Sequence, residues 1–515
     1  MKNTTRRKFI VQSGLLVGSA AAMPALGTVF GKSGGPVDDN ASRPNILLIT
    51  TDTSRCDTVN AMGYPFAVSP NLDRLAKEGI LFENAHTSSP VCSPARCSLL
   101  TGVHTPIHGC IENGVDRRTD LTTFPDLLKE QGYRTIMVGK THFGPIPDSF
   151  DVKKVTEGKT SDGYDIYSEF IKKYGYSREL KPYPSTRPAH LHIDSFLVDT
   201  AIQEIEQAAA DKNRPFFAFC SIPSPHPPLD PPEEWIDTYK DVTLPPVNYS
   251  EGDFKKLPQY LIDHLVLEDP GKYDMKKINQ QRRLYYSLAA YCDAQIGRLI
   301  DYLDRNNLRQ NTLVIFSSDH GTTLYDHGFK NKHTFYDSSW RVPLIMSMPG
   351  TLAQGEKRDF AIWNDITATI LGAAGTRCYT MQGFDLFTPL AANKPSPRRC
   401  AVSVHHRQVA LATKKWKIIY DYDYGSGRLF DRVNDPMERR NLFDDPEAKD
   451  AKNELFRILL QWNSELIDVQ RLQEKTGGGG RVARVTAKYT AKLKGTDAEQ
   501  RLNERAEYID SKYGV

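Results

Sequence analysis

Asn45-Ile-Leu-Leu-Ile-Thr-Thr-Asp52 is an unbroken apolar run that turns polar at its carboxyl end, the pattern of a parallel strand buried on both faces. Ligands in open α/β sheets bind at the carboxyl ends of such strands. The same grammar recurs in Asn311-Thr-Leu-Val-Ile-Phe-Ser-Ser-Asp319-His320-Gly321 and in Pro215-Phe-Phe-Ala-Phe-Cys-Ser-Ile222, which runs on to Pro223 and His226. A shorter strand at 133–138 closes on Gly139-Lys140-Thr141-His142, and another ends at Met348 after Trp340-Arg341-Val342-Pro343. Helix-like stretches lie between them at 72–78, 124–131, 193–208 and 282–304, and this alternation predicts a doubly wound, mostly parallel α/β sheet.

From about Gln382 the pattern changes to short strands at 402–406, 408–413, 416–420 and 428–431. These read as a smaller antiparallel sheet, closed by a helix near 448–467. The expected organisation is an α/β domain at 43–380, a sheet-and-helix subdomain at 381–470, and a tail at 471–515 joined through the glycines at 477–480. Residues 1–30 carry Arg6 and Arg7, an apolar stretch and small residues around Ala25 to Gly27. That order is an export signal, of the twin-arginine type or an ordinary secretory one. It makes the export machinery a partner and the destination periplasmic or extracellular. Ser13, Gly14, Gly18, Ser19 and Pro24 interrupt the apolar run, which falls short of the ~20 residues a membrane span needs, and no later stretch reaches that length.

With 66 basic and 63 acidic residues the net charge is only +3, so no global field marks a nucleic-acid binder and any anion site must be local. The eight cysteines lack the tight pairs of a structural zinc site, and no disulfide pairing is assigned.

The sharpest local signal is Cys92-Ser93-Pro94-Ala95-Arg96-Cys97-Ser98-Leu99-Leu100-Thr101-Gly102. It reads as a loop entering a helix with proline in the first turn, and a helix N-terminus offers free N–H groups to an anion. A cysteine there is by default a buried small hydrophobe; its neighbours give it chemistry. The segment resembles the sulfatase signature C-x-P-S/A-R-x-x-x-L-T-G, whose cysteine is oxidised to formylglycine, and every fixed position is present. The resemblance runs from Asn45 to about Trp462, through blocks around Asp52, Cys92, Lys140, His226, Asp319 and Lys332. It implies an alkaline-phosphatase-like α/β fold with a smaller C-terminal sheet, modification of Cys92 by a formylglycine-generating enzyme, and hydrolysis of a sulfate ester.

The resemblance also implies roles. Arg96 and Lys140 would hold the aldehyde hydrate and neutralise the sulfate oxygens; His142 would be the base that breaks the sulfated hemiacetal; His226 would be the general acid, with Lys332 beside it. A divalent metal would fall on Asp52, Thr53, Asp319, His320 and the oxygen derived from Cys92. Oxygen donors favour calcium. The commonest family pattern has aspartate at the place of Thr53 and asparagine at that of His320, and these replacements move the preference towards manganese or zinc. Calcium is still ranked first.

His108 is expected to support or contact the site. Arg187, His190 and His192, in a Pro-rich insertion, and His405, His406 and Arg407, on the first strand of the C-terminal sheet, are candidates for reading substrate. The expected substrate is a sulfated sugar of a polysaccharide or oligosaccharide. The alternative reading is a phosphonate monoester or phosphodiester hydrolase. A sulfated-glycan-binding protein without catalysis is disfavoured, because Cys92, Arg96, Lys140, His142, His226, Asp319 and Lys332 are all present.

Overall fold

The computed structural model describes residues 43–156, 165–176, 178, 187–249, 274–378, 380–475, 507, 510 and 511. The export signal expected at 1–30, the glycine joint at 477–480 and most of the tail lie outside the described residues.

Eight strands form the main sheet: β1 (Asn45–Thr51), β2 (Ile80–His86), β3 (Arg134–Lys140), β4 (Val152–Thr156), β5 (Phe216–Ser221), β6 (Thr312–Ser318), β7 (Leu344–Ser347) and β8 (Glu356–Ile362). Their order is β4-β3-β5-β1-β6-β7-β2-β8. All neighbours are parallel except β7, which runs antiparallel to both β6 and β2. β1 shows why the central strands are continuous apolar runs: Ile46 and Leu48 join one core, Leu47 and Ile49 the other. The helices Cys92–Thr101, Phe124–Glu130 and Trp363–Ala373 cover the first face; Pro70–Lys77, Ile193–Ala209 and Met275–Arg305 cover the second. This is the doubly wound arrangement that the alternation of elements predicts.

A second sheet of four antiparallel strands follows: β9 (Ala401–His405), β10 (Gln408–Ala412), β11 (Trp416–Asp421) and β12 (Ser426–Asp431), in the order β12-β11-β10-β9. One of its faces packs Val402, Val409, Leu411 and Ile418 on Leu455 and Ile458 of the helix Lys449–Lys475. The other face packs Ala410, Ala412 and Ile419 against Phe335, Trp340 and Phe360, which belong to the segments around the main sheet. All eight cysteines are free thiols. No helix among the described residues is long and apolar enough to cross a membrane.

Candidate active site

The carboxyl ends of four adjacent strands supply most of the site. β3 ends in Lys140, β5 in Ser221, β1 leads into Asp52, and β6 leads into Asp319 and His320. Because these strands are neighbours and parallel, their ends lie on one edge of the sheet. β1 is the switch point between crossovers to either side. The helix Cys92–Thr101 sits on this edge with all ten residues buried and Cys92 at its N-terminus.

Cys92 Sγ lies 2.8 Å from Lys332 Nζ, 3.2 Å from His320 Nε2 and 3.7 Å from Asp52 Oδ1. Burial and the Asp52 charge both raise this thiol, but His320, Lys332 and Lys140 outweigh them and hold it well below its usual value. Lys140 and Lys332 act on Asp52 as well. Burial alone would raise its carboxyl, yet Lys140, His226, Lys332 and Arg96 hold it well below the usual carboxylate range. Lys140 Nζ is 2.7 Å from Asp52 Oδ2.

Arg96, 1% exposed, locks the strand ends together. Its Nε donates to Asp319 Oδ2 at 2.9 Å, its Nη1 to Ser221 Oγ at 2.7 Å, and its Nη2 to Asp52 Oδ2 at 3.4 Å. Ser221 is a site residue that the sequence reading does not single out; only its place at the end of β5 could have marked it.

Asp52, Cys92, Asp319 and His320 each present one potential ligand atom, all within 4.8 Å of one another. The donor set fits a divalent cation. Each carboxylate engages the cationic side chains through Oδ2 and turns Oδ1 towards the cluster, where Asp319 Oδ1 accepts from the backbone N–H groups of Thr53 and His320. His320 Nδ1 donates to the Gly321 carbonyl at 2.7 Å, which directs Nε2 at Cys92, the outer-shell arrangement that orients a ligating imidazole. Thr53 adopts a left-handed φ of 72° and its hydroxyl donates to Asp52 Oδ1 at 2.5 Å. In this structure, therefore, Thr53 bonds an atom of the donor cluster.

His226 is half-buried, and its Nδ1 is 2.6 Å from the Pro227 carbonyl. Burial would lower this imidazole, but the Asp52 charge and a hydrogen bond with Cys92 raise it. His142 follows Lys140 at a left-handed φ of 52°, and its buried Nδ1 makes no hydrogen bond among the described residues.

The remaining candidates have other surroundings. His108 is fully buried, with Nε2 at 2.9 Å from Ser98 Oγ and Nδ1 accepting from the Cys110 amide, so both ring nitrogens support the turn below the Cys92 helix. Arg187 is buried, donates to Tyr167 and lies over the Tyr176 ring. His192 caps the helix Ile193–Ala209, and His190 is exposed. Arg407 is exposed and pairs with Asp423. Only His405 among these lies beside the segment leading to Cys92, with Nδ1 at 3.2 Å from Ser89 Oγ.

The family model for the sulfatases matches residues 44–376, and that for the C-terminal part of N-sulphoglucosamine sulphohydrolase matches 325–465. The chain belongs to the sulfatase family. It is 29% identical to an arylsulfatase of Clostridium perfringens, over 81% of this chain and 94% of the relative. It is 25% identical to an N-acetylglucosamine-6-O-sulfatase of Bacteroides thetaiotaomicron (87% and 91%) and 28% identical to an ulvan-active sulfatase of Formosa agariphila (84% and 83%). Among solved structures, a phosphonate monoester hydrolase of Agrobacterium radiobacter superposes with a TM-score of 0.74 at 22% identity, covering 82% of this chain and 96% of its own. That likeness shows the fold alone.

Proposed function

We propose that this sulfatase-family chain is a sulfuric ester hydrolase that removes sulfate from a sulfated saccharide through a formylglycine made from Cys92. The observation that carries the reading is the convergence of Arg96, Lys140, Lys332, His226 and a buried donor set on one side chain at a helix N-terminus. Cysteine alone does not explain that investment of cations. An aldehyde at this position hydrates to a geminal diol, in which one oxygen attacks sulfur and the second, on deprotonation, expels sulfate. Lys140 and Lys332, both largely buried, offset the charge gathering on the sulfate oxygens. His226, its pKa raised, donates a proton to the departing sugar oxygen, and His142 takes the proton of the sulfated hemiacetal's free hydroxyl, so that the aldehyde re-forms as the carbon–oxygen bond to sulfate breaks.

A divalent metal held by Asp52, Asp319, His320 and the modified residue 92 would polarise the sulfate and favour the ionised hydrate. Calcium remains first, with manganese or zinc as alternatives. The relatives named for acting on N-acetylglucosamine-6-sulfate and ulvan support a saccharide substrate, and the basic, apolar, small-residue order at 1–30 supports export to the periplasm or beyond.

Peptide mass spectrometry of protein from its own host tests the nucleophile. The Cys92 peptide is expected to show the mass loss of thiol-to-aldehyde conversion, and Cys92→Ala is expected to fold normally and release no sulfate. An unmodified Cys92 in active protein, or substantial turnover by Cys92→Ala, would remove the reading. Parallel assays on a sulfate monoester and a phosphate diester distinguish it from the phosphonate monoester or phosphodiester alternative.

A further inference from the structure

A second group of metal-type donors stands beside the Cys92 segment and takes no part in the chemistry above. Glu112, His405 and His406 each offer a ligand atom, all within 4.8 Å of one another. His406 Nε2 is 2.9 Å from Glu112 Oε2, and His405 Nε2 is 4.0 Å from the same oxygen. His333 Nδ1 approaches this group as well, 3.4 Å from His405 Nε2 and 3.6 Å from Glu112 Oε2.

We propose that Glu112, His333, His405 and His406 bind a second cation, of the zinc class, that ties the hairpin of the small sheet to the mouth of the active site.

Zinc bonded at about 2.1 Å to nitrogen and oxygen in a tetrahedron separates its ligand atoms by about 3.4 Å. Four of the six separations among these atoms, those of Glu112 from the three imidazoles and of His333 from His405, run from 2.9 to 4.0 Å and lie about that value, with His333 the outermost of the four donors. Three imidazoles and one carboxylate are borderline donors suited to zinc, whereas calcium and magnesium select oxygen. Glu112 hydrogen-bonds one imidazole, that of His406, and faces the other two at 3.6 and 4.0 Å, so one carboxylate and three rings point into a common space. The rings are also oriented as ligands are. His405 Nδ1 is engaged with Ser89 Oγ at 3.2 Å, which leaves Nε2 for the cluster.

The four residues come from three separate segments. Glu112 precedes Asn113, whose side chain accepts from the Ser93 amide at 3.0 Å. His333 follows Lys332, which touches Cys92. His405 ends β9 and His406 opens the two-residue turn to β10. With four protein ligands the ion has a structural role, fixing the positions from which Lys332 and the Cys92 helix act. This inference does not rest on the reaction assigned to the site, because it concerns donors outside it.

Cobalt(II) and zinc(II), added to the chelator-stripped full chain, test it. The wild type is expected to bind one cobalt with the intense visible bands of a four-coordinate ion, and zinc to displace it. His406→Gln and Glu112→Gln, substitutions at partly exposed positions, are expected to lose those bands and one zinc per chain by elemental analysis. Asp319→Asn, in the first donor set, is expected to keep them. Identical spectra for wild type and both cluster variants, or no four-coordinate bands in a wild type that melts cooperatively, would overturn the proposal. So would a loss of saccharide affinity in His406→Gln with unchanged metal content, which would make the group a substrate contact.

Discussion

His226 shows how one side chain's surroundings set its task. Facing Asp52 and Cys92, it holds its proton to a higher pH than a free imidazole, so activity that depends on His226 as an acid is present below that raised pKa and lost as pH rises through it. His226→Ala is expected to lower kcat on a sugar sulfate by about 10²–10⁴-fold and to abolish the alkaline limb of the pH profile. On a nitrophenyl sulfate, whose leaving oxygen needs no proton, the loss is expected to be far smaller; equal losses on both substrates would reassign the residue. Asp194 poses a separate titration. It is fully buried, accepts from Ser224 Oγ at 2.8 Å, and burial pushes its carboxyl up to about 7 from 3.8. Between those values the folded chain keeps a proton that the unfolded chain has lost, so stability falls as pH rises, by about 1.4 kcal/mol per unit. Asp194→Asn is expected to flatten that slope, matching wild type near pH 4 and exceeding it near pH 8 in denaturant melts. An unchanged slope would mean that Asp194 is ionised in the fold.

At the level of elements, the delivery of Lys140 depends on the residue before it. Gly139 has a φ of 102°, and a Cβ there would lie 2.0 Å from the Ser221 carbonyl oxygen, so β3 and β5 approach at the place where Lys140 and Ser221 enter the site. Gly139→Ala is expected to cost more than about 2 kcal/mol through strain and the backbone clash, and to lower activity more than its stability loss explains; a melt and sulfate-release assay within error of wild type would refute this. Which elements were legible in the sequence follows from burial. β1, β5 and β6 are covered on both faces and announce themselves as apolar runs, and the Cys92 segment carried a pattern specific enough to place Arg96 and the residues matched with it. β4 and β8 escaped notice because edge strands carry charge, as in Val-Lys-Lys-Val-Thr and Glu-Lys-Arg-Asp-Phe-Ala-Ile, and β2 because Glu83 and Asn84 break its run. The meeting of Glu112, His333 and His405 was invisible for a different reason: His333 lies 221 positions after Glu112 and 72 before His405, and no local spacing connects them.

On the scale of the whole molecule, the small sheet is held to the larger part by a buried ion cluster as well as by apolar packing. Lys417 of β11 has no exposed surface, lies 2.7 Å from Asp337 Oδ1 and also pairs with Glu438. Glu438 in turn accepts from the Asp337 amide at 2.8 Å. Burial and the Asp337 charge push the Glu438 carboxyl up to about 7 even with Lys417 beside it, while Lys417 and Arg432 outweigh burial to hold Asp337 low. The buried Glu438 carboxylate thus depends on this one ammonium, while the partly buried Asp337 shares it with Arg432. Lys417→Met preserves the length of the side chain and removes the charge, leaving the carboxylates to face each other. The expected cost is about 3–5 kcal/mol, the range for breaking a buried pair from one side. The sign of the pH dependence follows from Glu438. Without Lys417 its carboxyl rises further, so at pH 5 it is protonated and the repulsion is relieved, whereas at pH 8 the folded chain must either keep a proton that the unfolded chain has lost or carry both charges. Denaturant melts of Lys417→Met at the two pH values are therefore expected to show the larger loss at pH 8, and adding Glu438→Gln is expected to recover part of it there. A loss below about 1 kcal/mol at pH 8 would mean that the Ala410, Ala412 and Ile419 face, packed on Trp340 and Phe360, holds the two sheets together without the ions.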